Sequence, residues 1–277
     1  MQQRDFFLAA TAQSSLGLDL DRSAAAEPTP AKLASTVMLV RDDEGPLEVF
    51  MLRRVGSMAF APSMHVFPGG GADPRDAEDE LPWAGPSVAE WAETLETDEA
   101  SARMLVAAAV REIFEETGVL LASLASGEEK APRLDAGEAT ALRARLEARE
   151  ISLGEVLLEY RLVLRSDLLR YRAHWITPEV EPRRYDTRFF VAAVPQGQDP
   201  DGETSEADLS QWVRPAAVLD AFTDGEVLML PPTIVVLEQL ALVSTVSGAL
   251  AQDVAIAPVM PQFVLTESGP AMRAHLP

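Results

Sequence analysis

Three glutamates crowd five consecutive residues of this chain. Glu112, Glu115 and Glu116 sit within Arg111-Glu112-Ile113-Phe114-Glu115-Glu116-Thr117-Gly118-Val119, at the end of an alanine-rich run that begins near Asp98. At about 100° per residue, the three carboxylates fall within roughly a 100° arc of one helical face, while Val106, Ala109, Val110, Ile113 and Thr117 fall on the neighbouring apolar face. Like charges at i and i+4 cost an isolated helix roughly 0.2–0.5 kcal/mol, and Arg111, four residues before Glu115, offsets only part of that. A bound cation reverses the sign. Carboxylate oxygens favour magnesium or manganese, ions that neutralise crowded phosphate charge and make bound water more acidic.

The neighbouring sequence must position this cluster. A helix is expected from Asp98 to Thr117, with Thr97 as N-cap, Asp98 and Glu99 in the first turn, and Gly118 as the stop. Upstream, Phe67-Pro68-Gly69-Gly70-Gly71 is a loop whose glycines let main chain approach a ligand closely, and it should face the acidic helix. Two β-prone runs, 33–41 and 47–54, flank the turn-like cluster 42–46 and predict a hairpin. Arg53 and Arg54 alternate across its second strand, so one faces the cleft and the other solvent. His65 lies on a short extended piece beside the site. A strong strand is expected over 183–194 with arginines at its entrance, Arg184 and Arg188 being candidate phosphate contacts.

The whole chain bounds the rest. It has 277 residues, 47% hydrophobic and 24% charged, a globular composition with no apolar run approaching the roughly 20 residues that span a bilayer. A soluble, cytoplasmic protein without membrane contact is expected. The absence of cysteine excludes disulfides, thiolate metal sites and cysteine nucleophiles. A formal charge of -21 argues against nucleic-acid binding, which draws on basic residues. Residues 1–32 read as a flexible N-terminal arm and 33–277 as one domain with two insertions. The first, at about 72–97, is acidic. The second, at 121–172, is expected to be mainly helical, over 134–150 and 153–169, and is read as a cap, a dimerisation element or stabilising bulk. Further helices are expected near 215–222 and 232–246, then a strand-like or irregular tail from Ala255.

The run Arg-Glu-apolar-x-Glu-Glu-x-Gly-apolar at 111–119 resembles the second half of the Nudix box, and Phe67 to Gly71 resembles the loop that opens it. Within that superfamily, Pro62 to Gly70, the long insertion before the helix, and Arg184-Tyr185-Asp186-Thr187-Arg188-Phe189-Phe190 are similar to the branch containing peroxisomal acyl-coenzyme A diphosphatases. The resemblance implies a Nudix-type α/β/α sandwich with a mixed sheet. It implies hydrolysis of a small-molecule nucleoside diphosphate derivative, coenzyme A or acyl-coenzyme A first, with an ADP-ribose or nucleotide-sugar diphosphatase or a non-catalytic ligand sensor as alternatives. Glu112, Glu115 and Glu116 would hold Mg2+ or Mn2+, helped by the Gly70 carbonyl, and Arg111 would orient Glu115. Either Glu115 or Glu206, six residues before Trp212 as in several Nudix enzymes, would act as base. The uninterrupted family box has a glutamate eight residues before its arginine; Arg103 stands there, so that carboxylate is expected to be missing or relocated.

Overall fold

The acidic helix forms and ends on its own local signals. It runs Glu99–Thr117, and Asp98 caps it by accepting a hydrogen bond from the Ser101 N–H; Thr97, the expected cap, stands one residue outside. Gly118 closes it in the left-handed region (φ 74°), its N–H on the Phe114 carbonyl.

A computed structural model describes residues 2–7, 28–42, 45–56, 61–77, 81–126 and 134–277. Its strands are β1 (Gln2–Phe7), β2 (Lys32–Arg41), β3 (Glu48–Arg54), β4 (His65–Val66), β5 (Gly69–Gly71), β6 (Trp83–Ala84), β7 (Ala122–Leu124), β8 (Leu162–Arg165), β9 (Arg170–Ile176), β10 (Tyr185–Ala193), β11 (Ala207–Val213), β12 (Pro258–Val259), β13 (Gln262–Thr266) and β14 (Gly269–Leu276). Its helices are α1 (Val88–Leu95), α2 (Glu99–Thr117), α3 (Ala136–Glu147), α4 (Leu153–Glu159), α5 (Pro215–Thr223), α6 (Pro231–Leu240) and α7 (Val246–Ala251).

Eight strands make one mixed sheet, ordered β11-β3-β2-β10-β9-β12, with β4 beside β3 and β5 beside β2. β2 and β10 run parallel, in register from Lys32 opposite Tyr185 to Val40 opposite Ala193. Helices cover both faces, which is why these strands read as near-continuous apolar runs. Val37, Leu39, Phe190 and Ala192 pack in the core with α2, whereas Met38, Val40 and Val191 pack in the core with α5, α6 and α7. The expected α/β/α sandwich is the architecture. Leu105, Val106, Val110, Ile113 and Phe114 of α2 have no exposed surface, and truncating a buried phenylalanine such as Phe114 to alanine costs about 3–5 kcal/mol.

The two insertions assemble into one unit. β8 pairs parallel with β6 from the first and antiparallel with β7 from the second, forming a small separate sheet. The helix expected over 153–169 stops at Glu159. Arg161 turns into the left-handed region (φ 54°), and the following β8 buries Leu162 and Leu164 while Val163 and Arg165 are half-buried, a period of two.

The segment expected as a mobile arm holds a strand instead. β1 pairs antiparallel with β14, Phe6 is buried, and Arg4 grips Glu238 of α6 through hydrogen bonds of 2.5 and 2.8 Å. Arg273 pairs with Asp5 through two bonds of 2.7 Å. The rest of that expectation, residues 8–27, lies outside the described residues. The tail forms β12 against β9 and the β13–β14 hairpin. Among the described residues, no helix is long and apolar enough to cross a membrane.

Candidate active site

The glycine strand and the acidic helix touch. β5 lies antiparallel to β2, Gly70 opposite Ser35, and this lays its main chain across the carboxylate face of α2. A Cβ on Gly70 would stand 2.6 Å from all three carboxylate atoms of Glu112, so a side chain there would push that carboxylate out of its place beside Arg111. The Gly69 N–H donates to Glu116 Oε2 at 2.8 Å.

Arg111 is the hub. Its Nη1 donates to Glu112 Oε1 at 2.8 Å and to both Glu115 oxygens at 3.1 and 3.2 Å, and its Nη2 reaches the Gly71 carbonyl at 2.9 Å. The other edge of the guanidinium meets Asp76, Nε on Oδ1 at 2.9 Å and Nη2 on Oδ2 at 3.0 Å. Asp76 sits in a single 3₁₀ turn, Pro74–Ala77, and its Oδ2 also accepts from the Asp73 N–H at 2.8 Å. An acid is thus brought to Arg111 from the start of the first insertion, although a contiguous count finds Arg103 in its place.

The cluster is rich in buried carboxyl groups. Burial pushes Glu112 up to about 8, against the pull of Arg111 and with the push of Glu115. Burial raises Glu116 well above the usual carboxylate range, reinforced by Glu112, and burial raises Glu115 despite Arg111. Burial pulls the Arg111 guanidinium down, but Glu112, Asp76 and Glu115 outweigh it and hold the charge in place. Among the described residues, no three acidic side chains are gathered round one point; Glu112 and Glu115 turn to Arg111, and Glu116 to Gly69. The donor chemistry still fits a hard divalent cation. It offers carboxylate oxygens with raised proton affinity, one arginine among them, and main chain brought close by a glycine.

A cleft of about 900 Å³ opens over the cluster. Gly70, Arg111, Glu112 and Glu115 line it together with Glu206 and Arg54 and with the apolar or aromatic Trp175, Phe189, Phe263 and Met272. Glu206 stands just before β11, 3.6 Å from Arg54. Arg53 points elsewhere, to Asp208 at 2.7 Å, and is paired across the strands with His65. His65 is buried and Nδ1 has no hydrogen-bond partner; desolvation, then Arg53, holds its pKa down. Val66, not His65, lines the cleft.

Arg184 and Arg188 also fall outside it. Side chains of a strand alternate, and Arg183, Tyr185, Thr187 and Phe189 take the cleft side. Arg184 donates to the Thr177 and Thr29 carbonyls at 3.1 and 2.8 Å. Arg188 and His174 are buried, both bonded to the half-buried Asp186, beside a second cavity of about 590 Å³ that Trp91, Leu95 and Arg172 also line. Three contributions go beyond the sequence signals named above: Asp76, the apolar lining from the C-terminal strands, and Glu147, which reaches the cleft from α3. Asp76 does have a signal, an acid just downstream of the glycines at the start of the insertion.

The NUDT19 Nudix domain matches residues 89–240, more than half of the chain. The chain belongs to the NUDT19 Nudix family. Among the relatives of this chain, the acyl-coenzyme A diphosphatase NUDT19 of Gallus gallus is 30% identical over 230 residues, covering 67% of the chain and 58% of that protein. The crystal structure of a NUDIX hydrolase from Alicyclobacillus acidocaldarius superposes with a TM-score of 0.66 at 29% identity, covering 81% of the chain and 97% of that structure. The chain spans 55 and 58% of the lengths of two curated relatives it matches. The Nudix match contains α2 with its glutamates and Arg111; Asp76, the glycine strand and the lining residues Phe263 and Met272 lie outside it.

Proposed function

We propose that this Nudix chain hydrolyses the diphosphate bond of a nucleoside diphosphate derivative, with coenzyme A or acyl-coenzyme A as the substrate class, using Mg2+ or Mn2+. One observation carries the reading: Glu112 and Glu115 of α2, held by Arg111 and through it by Asp76, line a cleft that apolar and aromatic side chains also line. The charged lining suits a diphosphate in the company of a cation, and the apolar lining suits an acyl substituent. The chicken relative's name supports coenzyme A species.

A divalent cation bound here would neutralise diphosphate charge and acidify its bound water. Glu112, Glu115 and Glu116 would hold it with the Gly70 carbonyl. Arg111, fixed by Asp76, keeps Glu112 and Glu115 turned toward the cleft floor. The Gly69 N–H steadies Glu116. Glu115 is engaged by two hydrogen bonds from Arg111, whereas Glu206 lines the cleft beside Arg54. We assign to Glu206 the acceptance of a proton from the attacking water, a role worth roughly 10²- to 10⁴-fold in rate.

The test is turnover by the full chain with magnesium of coenzyme A, acyl-coenzyme A species, ADP-ribose and nucleotide sugars, read by product masses. Cleavage of coenzyme A species into phosphorylated halves is expected. Preference for ADP-ribose over every coenzyme A species would replace the substrate class, and binding without any turnover would make the chain a sensor.

A further inference from the structure

Arg143 belongs to the second insertion, on α3, yet it is only 5% exposed and ends against the catalytic helix. Its Nε donates to the Glu115 carbonyl at 3.0 Å, its Nη1 pairs with Asp201 Oδ2 at 2.7 Å, and its Nη2 donates to the Glu203 carbonyl at 2.9 Å. The first partner is in the last turn of α2, where carbonyls lack intrahelical donors and the helix dipole favours a cation. The other two belong to the loop between β10 and β11, which ends at Glu206.

That loop has reason to leave. Asp199, Asp201, Glu203 and Glu206 give it four carboxylates, and it lies against a helix end that carries three more. Arg143 is a cation placed between them, as is Arg54, 3.6 Å from Glu206. Other links lie alongside: the Asp201 N–H on the Thr117 carbonyl at 3.1 Å, the Val55 N–H on the Glu206 carbonyl at 2.9 Å, Gln198 exchanging bonds of 2.7 and 2.9 Å with the Leu120 main chain, and the Ser205 hydroxyl on Glu147 of α3 at 2.6 Å. A Cβ on Gly118 would come within 3.2 Å of Arg143 Nη1 and of Asp201 Oδ2, so the helix stop also leaves room for the pair.

We infer that Arg143 is a positioning residue, through which the inserted helix holds the Glu206 loop at a set distance from the glutamates of α2; its effect on rate rests on the diphosphatase reading above. The insertion is then part of the catalytic apparatus. Misplacing a reacting group by about 1 Å costs on the order of 10²-fold in rate, so a loosened loop lowers kcat and leaves substrate contacts largely intact.

The variants Arg143→Met and Arg143→Lys are compared with wild type by hydrogen exchange over 196–206 and by kcat and KM, alone and with Glu206→Gln. Arg143→Met is expected to speed exchange in the loop and to lower kcat about 10- to 100-fold, with KM within about twofold; Arg143→Lys recovers part of both. In the Glu206→Gln background the further loss is expected to be less than about twofold, because neighbours acting as a unit are not additive. Wild-type exchange in the loop together with wild-type kcat overturns the inference, as does an undiminished loss in the Glu206→Gln background. Should Arg143→Met not fold, Asp201→Asn cuts the charged link from the loop side, and it must move exchange and kcat in the same direction or the inference fails. Absence of diphosphate turnover by wild type defeats the diphosphatase reading alone, since loop exchange still tests the clamp.

Discussion

Asp76 grips Arg111 through two hydrogen bonds of 2.9 and 3.0 Å across 35 positions of chain, with the aspartate side chain 2% and the arginine side chain 10% exposed. Removing one partner of a buried pair leaves an uncompensated charge and costs about 3–5 kcal/mol. Asp76→Ala should therefore unfold at clearly lower denaturant than wild type. Its activity should fall roughly 10- to 100-fold as Glu112 and Glu115 lose their orientation. Denaturant midpoints and kcat read both, and an unchanged midpoint would show that Arg111 is held without Asp76.

Chelation of divalent cations should leave a pH-dependent mark. Glu112 is pushed up to about 8 by burial, and Glu116 is also raised, so the folded protein keeps protons that the unfolded chain has released above about 4.5. Their contribution to stability is full below that value and is lost as pH rises through about 8. Glu112→Gln, which cannot titrate there, should flatten the decline. Added Mg2+ competes with those protons, so its stabilising effect should grow over the same window. Melting temperatures with EDTA and with Mg2+, from pH 5 to 8.5, supply the check. A wild-type protein that melts no lower, relative to Glu112→Gln, at pH 8 than at pH 5 would contradict it.

The alternation of the strand Tyr185–Ala193 and its approach separates two adjacent arginines. Arg183 lines the cleft, while Arg184 is spent on the Thr177 and Thr29 carbonyls. Arg183→Ala should raise KM for a diphosphate substrate about 5- to 30-fold, equivalent to roughly 1–2 kcal/mol of a charged contact. Arg184→Ala should leave KM within about twofold. The reverse ranking would put the other face of the strand in the cleft.

Local signals made the acidic helix legible: an acidic start, an alanine-rich body, Gly118 at its end and three glutamates on one arc. The glycine strand was legible from its three consecutive glycines, and a Cβ on Gly70 would displace the Glu112 carboxylate. What escaped depends on contacts distant in sequence or on the parity of a strand. Asp76 is 35 residues from Arg111 in sequence, at the start of the first insertion, and only the fold brings them together. Arg184 and Arg188 carry the charge a phosphate calls for, but a shift of one residue moves a side chain to the opposite face. The joining of β6 to β8, and of β1 to β14, is a pairing of remote segments that neither run announces by itself.

The central claim is that the α2 carboxylates perform diphosphate hydrolysis, and Glu116 tests it most directly. Glu116 accepts a hydrogen bond from the Gly69 N–H and is buried, so Glu116→Gln preserves shape while removing a carboxylate ligand. The measurement is the single-turnover rate of coenzyme A cleavage in Mg2+, with melting temperature in EDTA as the control for folding. The account predicts a loss of roughly 100-fold or more, corresponding to several kcal/mol of charge stabilisation, in a protein that melts no lower than wild type. A folded Glu116→Gln variant with a near-wild-type rate would contradict it.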